Sequence, residues 1–212
     1  MTSDPTLPPT VGAILAGGLA RRMGGGDKPL RAVGGRTALA RIIDRLTPQT
    51  VRVVLNANDN PLRFSSYRLP VVADSLPDHP GPLAGVLAAL DWTAANVPAV
   101  AWVVTAPGDA PFVPHDLVAR LHIVRQGGDT TFACAASHGR THPVIGLWPV
   151  AIRDELRRAV AQQGVRKIDL FTQQGGCATA EWPSAPVDPF FNVNTPEDLA
   201  EAERVVALYP NL

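Results

Sequence analysis

The chain has 212 residues, in which 19 Lys+Arg are balanced by 19 Asp+Glu. A net charge of zero speaks against a duplex-DNA coater and against a polybasic membrane binder, since both work through surplus positive charge. With 46% apolar and 18% charged residues, against a usual ~25% charged, the chain is too apolar for disorder and long enough to bury a real core.

Residues 1–10 carry no basic cluster and no apolar stretch behind one, so they read as a flexible tail rather than a signal peptide. Residues 11–16 form a first buried strand. Residues 37–46 have helical spacing, with Leu39, Ile42, Ile43 and Leu46 on one face. Residues 51–55 and 69–73 read as a second and a third strand. Residues 82–95 read as a helix, with Leu83, Val86, Leu87 and Leu90 recurring at helical intervals. Residues 100–105 give a fourth strand and 114–124 another helix. Strands are expected over 131–136 and 144–148, and a helix over 152–161. The last helix starts at Thr195, where a capping hydroxyl precedes Pro196, Glu197 and Asp198. Residues 171–189 give no pattern that supports an assignment.

Strands alternating with helices predict an α/β fold: a single-domain, Rossmann-like, mostly parallel sheet with helices on both faces. No repeat or composition break divides residues 11–212. A nucleotide-binding half over about 11–110 and an acceptor-binding half over about 111–212 are expected within that one domain. The 21 prolines, about twice the usual ~5%, show no period and mark short fixed connections. Cys134 and Cys177, the only two cysteines, are too few for a disulfide framework or a four-ligand zinc site. They read as buried thiols in a reducing compartment. The longest apolar run, residues 99–106, is far short of the ~20 that span a bilayer. A soluble, cytoplasmic protein is expected.

In open α/β sheets ligands bind beyond the carboxyl ends of the strands. The first apolar run is followed by Gly17, Gly18 and a loop to Lys28, the second by Asn56, the third by Asp74, the fourth by Asp109. Any one of these is an ordinary strand terminator; the four together predict a ligand site on one rim. The loop holds five glycines with Arg21, Arg22 and Lys28. Glycines let backbone N–H groups approach an anion closely, so the loop suits a polyphosphate. Lys28 is one of only two lysines among 19 basic residues, a compact charge where a flat fork is not required. Asp27-Lys28-Pro29 lacks the Ser or Thr of a Walker loop, and Gly24 and Gly26 are followed by Pro29 where a dinucleotide fingerprint needs its third glycine. Asp109, between Gly108 and Pro111 after a buried strand, suits Mg²⁺, which takes one or two carboxylates plus phosphate and water oxygens. No Ser-His-Asp or Cys-His pattern appears. The histidines lack metal-ligand spacing and read as surface or packing residues, with His142 the one worth testing.

Leu-Ala-Gly-Gly at 15–18, Arg22-Met23-Gly24-Gly25, Asp27-Lys28, Asn56, Asp74, the Gly81–Gly85 segment, Asp109 and Asn192-Val193-Asn194-Thr195-Pro196 together resemble the molybdenum cofactor guanylyltransferases. The likeness runs from about residue 11 to 206. It implies transfer of GMP from GTP to the terminal phosphate of molybdopterin, with pyrophosphate released. It implies that Leu15, Ala16 and Gly17 contact the nucleotide and that Gly18 opens the phosphate loop. Arg22 and Lys28 would neutralise the triphosphate, Asn56 and Asp74 hold the guanosine, and Asp109 bind Mg²⁺, with Mn²⁺ as the alternative ion. Gly81, Gly85, His142, Arg166, Lys167, Asn192 and Asn194 would face the pterin. Lys167 departs from the family pattern of paired arginines there and cannot make a bidentate fork.

Three readings compete. One is the guanylyltransferase; one is a cytidylyltransferase for molybdopterin or a sugar-phosphate nucleotidyltransferase; one is a carrier that hands the cofactor to an apo-enzyme. A carrier would not need Asp109 or the basic loop. Partners expected from the resemblance are GTP, molybdopterin and, transiently, cofactor-biosynthesis proteins and apo-molybdoenzymes; nucleic acid and membrane are not expected.

Overall fold

The computed structural model describes residues 7–17, 28–58, 60–76 and 81–210. In chain order the elements are β1 (Thr10–Leu15), β2 (Ala32–Val33), β3 (Arg36–Thr37), α1 (Ala38–Leu46), β4 (Arg52–Asn56), β5 (Val71–Val72), α2 (Pro82–Asn96), β6 (Trp102–Pro107), α3 (Leu117–Gln126), β7 (Phe132–Ser137), β8 (Arg140–Pro149), α4 (Arg153–Ala161), α5 (Ile168–Gly175), β9 (Cys177–Glu181) and α6 (Pro196–Leu208). Seven strands make one sheet in the order β5-β4-β1-β6-β8-β7-β9. Only β8 runs against its neighbours; β1, β4, β5 and β6 are mutually parallel, as are β7 and β9. No helix among the described residues is long and apolar enough to cross a membrane.

The two faces of the sheet are read directly from alternation along β1. Val11 and Ala13 pack with Leu83, Val86, Leu87 and Leu90 of α2, Leu156 of α4 and Phe171 of α5. Ile14, on the opposite face, packs with Leu39, Ile42 and Leu46 of α1 and with Leu117 and Leu121 of α3. α2 is apolar almost all round, and so it is buried along most of its length. A third cluster joins Val33 and Phe112 to Val193, Ala202 and Val205, seating α6 on the β2–β3 hairpin. The hairpin turns through Gly34 and Gly35, both with positive φ, the conformation a tight two-residue turn requires.

Several expectations need correction. β1 begins at Thr10, inside the stretch expected to be a tail, and Thr10 Oγ1 is tied to His122 Nε2 at 2.8 Å and to the Pro8 carbonyl at 2.9 Å. The third strand is shorter than expected, only Val71–Val72. β8 is longer than its expected core because its pairing with β7 jumps: Cys134 faces Gly146, whereas Ala135 faces His142. This bulge takes up residues 143–145, and the displaced Val144 carbonyl accepts from Thr105 Oγ1 at 2.6 Å. α5 and β9 occupy the stretch without a sequence pattern. Cys134 is buried as expected, but Cys177, near the sheet edge, is only half-buried; both are free thiols.

Candidate active site

Strand register sets up the rim. Leu15 lies level with Asn56 on one side and with Pro107 on the other. The chain leaving β1 stays in the sheet for one more residue, since Ala16 N–H donates to the Asn56 carbonyl at 2.8 Å and Gly108 N–H to the Leu15 carbonyl at 2.9 Å. The ends of β1, β4 and β6 therefore lie level along one rim of the sheet.

On one side of β1, Asn56 is buried. Its Nδ2 donates to Asp74 Oδ1 at 2.8 Å and to the Val72 carbonyl at 3.2 Å. Asn58 Nδ2 donates to Asp74 Oδ2 at 2.8 Å, and Asp74 N–H donates back to Asn58 Oδ1 at 2.7 Å. Both donors of the Asn56 amide are thus oriented away from Gly85, and its Oδ1 is held toward α2. A Cβ on Gly85 would overlap Asn56 Oδ1 and come within 3.1 Å of Leu15 Cδ2. Glycine there is what allows α2 to lie this close to the rim. Asn58 was not identified from sequence; the Asn-x-Asn spacing at the end of β4, which puts both amides on one face, is the signal that could have found it.

On the other side, Lys28 opens a short 3₁₀ turn, Lys28–Leu30. Pro29 is buried beside Gly108, where a Cβ would come within 2.9 Å of Pro29 Cγ. This close approach brings Lys28 Nζ to 4.0 Å from Asp109 Oδ2. Nζ donates to Asn194 Oδ1 at 2.7 Å. Residue 193 is fastened to the same place, since Val193 N–H donates to the Asp109 carbonyl at 2.9 Å. Burial pushes the Asp109 carboxyl above the usual range, and Lys28 partly offsets this. A partly desolvated carboxylate stabilised by an adjacent cation is a hard oxygen donor, which fits Mg²⁺ or Mn²⁺. Among the described residues no group of three or more His, Cys, Asp and Glu comes together. A metal here would rest on one carboxylate, with substrate and water oxygens completing its shell.

The remaining expected residues divide. Gly17 is exposed at the end of β1, and Gly18 and Arg22 lie outside the described residues. Gly81, with φ of +95°, caps α2, and the Arg166 carbonyl lies 4.0 Å from where its Cβ would be. The Arg166 guanidinium donates to the Val160 carbonyl at 3.0 Å, and Lys167 is the exposed N-cap of α5. His142, at the bulge, is hydrogen-bonded to Ser137 Oγ at 2.8 Å and packs on Phe190. Burial lowers its pKa. Asn192 is half-buried and precedes the residues that fasten Asp109 and Lys28.

A mostly parallel sheet that presents Lys28 beside Asp109 and the Asn56–Asp74 network at level strand ends has the chemistry of a site for a phosphorylated ligand. Residues 12–175 match the family model of the MobA-like NTP transferase domain. The chain is 58% identical over 202 residues to a molybdenum cofactor guanylyltransferase of Nitrobacter hamburgensis, covering 95% of this chain and 97% of the relative. It is 42% identical over 207 residues to one of Rhizobium meliloti, covering 95% and 93%. Among solved structures it is similar to molybdopterin-guanine dinucleotide biosynthesis protein A from Archaeoglobus fulgidus, with a TM-score of 0.72, 25% identity and coverage of 93% and 99%. The chain belongs to the MobA-like NTP transferases and, within them, to the molybdenum cofactor guanylyltransferase family.

Proposed function

We propose that this protein transfers GMP from GTP to the terminal phosphate of molybdopterin, giving the guanine dinucleotide cofactor and pyrophosphate. A phosphate oxygen of the acceptor bonds to the α-phosphorus as the bond from that phosphorus to the bridging oxygen of pyrophosphate breaks. No group on the protein need form a covalent bond. The work is alignment of two anions and offsetting of charge. The observation that carries this reading is the meeting of Lys28 and Asp109, 4.0 Å apart, level with the Asn56–Asp74 network, in a chain of this family.

Leu15, Ala16 and Gly17 line the nucleotide along its backbone, with Asn56 and Asp74 beside the guanosine. Lys28 offsets triphosphate charge, together with Arg22 and the glycines from Gly18 onward, which are assigned on the sequence. Asp109 holds the metal, which when bound supplies further positive charge to the phosphate oxygens. Gly81, His142, Arg166, Lys167 and Asn192 are assigned to the acceptor side, and Gly85 seats α2 against Asn56. A site of action in the cytoplasm goes with this reading, as do transient contacts with apo-molybdoenzymes, because product held on the protein must reach its user.

The test compares nucleotides. GTP with Mg²⁺ should raise the melting temperature more than CTP or ATP with Mg²⁺. Equal shifts for all three would remove the guanine assignment, and a larger shift with CTP would favour a cytidylyltransferase.

A further inference from the structure

Lys28 and Asp109 are mostly shielded, with side chains 21% and 20% exposed. Opposite charges in such surroundings attract strongly, which favours closing to a direct hydrogen-bonded pair. They do not close. The ammonium is held instead by Asn194 Oδ1 at 2.7 Å, a neutral acceptor. The turn bearing Asn194 is fixed at both ends. Val193 N–H donates to the Asp109 carbonyl at 2.9 Å. The N–H groups of Asn194 and Thr195 both donate to Asp198 Oδ2 at 2.9 Å, while Asp198 N–H donates to Thr195 Oγ1 at 3.1 Å. The Asp198 carboxylate, through these two backbone N–H groups, thus holds the Asn194 backbone in register with the two charged groups, while the Thr195 hydroxyl caps α6.

We propose that Asn194 is a positioning residue for the nucleotide: it holds the Lys28 ammonium off the Asp109 carboxylate, leaving one free for phosphate and the other for metal. This moves Asn194 from the pterin side, where the sequence resemblance puts it, to the nucleotide side, and it rests on the guanylyl-transfer reading. Without the carboxamide, the Asp109 carboxylate, 4.0 Å away, is an acceptor within easy reach of Nζ. The resulting ion pair would mask a phosphate-binding cation and a metal ligand together.

The test is a double-mutant cycle on GTP affinity, measured by calorimetry with Mg²⁺ and without acceptor, so that no turnover intervenes. Asn194→Ala keeps the backbone N–H groups that Asp198 and Asp109 require, so the chain should fold. It should weaken GTP binding about tenfold, the scale of one hydrogen bond to a charged group. Lys28→Ala should weaken binding at least as much, and adding Asn194→Ala to it should cost nothing further, because the two act as one unit. Thr195→Ala is the control for helix stability. It should lower the melting temperature by roughly 2–4 °C and leave GTP affinity as in the wild type. An Asn194→Ala chain with wild-type affinity, losses that multiply in the double variant, or a Thr195→Ala chain that loses affinity equally would each overturn the proposal. A wild-type chain with no GTP affinity would instead overturn the functional reading beneath it.

Discussion

Asp109 serves the fold through its carbonyl, which accepts from Val193 N–H, and serves the chemistry through its carboxyl. The two roles can therefore be separated by substitution. Asp109→Ala should lower turnover by roughly 10²-fold or more, the scale of losing a group that offsets transition-state charge, while its thermal transition stays cooperative. Near-normal turnover in that variant would remove the metal assignment. Asn56, Asp74 and Asp109 were picked out in the sequence because each closely follows an apolar run, and strand ends are where α/β sheets present ligands; Lys28 was picked out as the basic residue closing the glycine-rich loop after the first run. Their partners were less legible. The Lys28–Asn194 bond joins residues 166 apart, and no local pattern encodes such a pairing. Asn58 was hidden for another reason: an amide after a strand looks like an ordinary turn residue until its two bonds to Asp74 are seen.

At the scale of elements, α2 makes a sharp prediction. Gly85→Ala puts a methyl group where Asn56 Oδ1 now lies, so either α2 withdraws or the Asn56 amide turns. Either change disturbs the Asn56–Asp74 network, and GTP affinity should fall several-fold with little loss of helix. Unchanged affinity by calorimetry would mean that the amide network does not read the nucleotide. α3 makes a different one. His122 is fully buried and bonded to Thr10 of β1. Burial, with Arg125 adding to it, lowers its pKa from 6.5 to about 4. The folded pKa is below the unfolded one, so the unfolded chain takes up the proton first. Stability from neutral His122 is complete above about pH 6.5 and is lost as pH falls toward about 4, by roughly 3 kcal/mol. Denaturant midpoints should follow that slope, and His122→Gln should flatten it; parallel slopes for the two chains would contradict the assignment. The helices with a clear apolar stripe were read from sequence within a few residues. α5 and β9 were not. β9 is a short edge strand with small residues, Cys177–Glu181, and small residues carry little of the alternation that marks a strand. The β8 bulge was likewise invisible, because it depends on register against a neighbouring strand.

For the whole molecule, mostly parallel order and two covered faces followed from the alternation of strands and helices, and the structure bears this out. What the sequence could not supply is the placement of α6. A cap at Thr195 was foreseen, but only the fold shows that the residues leading into this helix fasten both charged groups of the site. The central claim is that this rim breaks GTP between its α- and β-phosphates and joins the α-phosphate to the pterin. It is tested most directly by giving the protein Mg²⁺, molybdopterin and GTP labelled either at the α- or at the γ-phosphorus, then separating the products. The account predicts α-label in the pterin dinucleotide and γ-label in pyrophosphate, in equal amounts. Release of the γ-label as orthophosphate, or an α-label that never reaches the pterin, would contradict it.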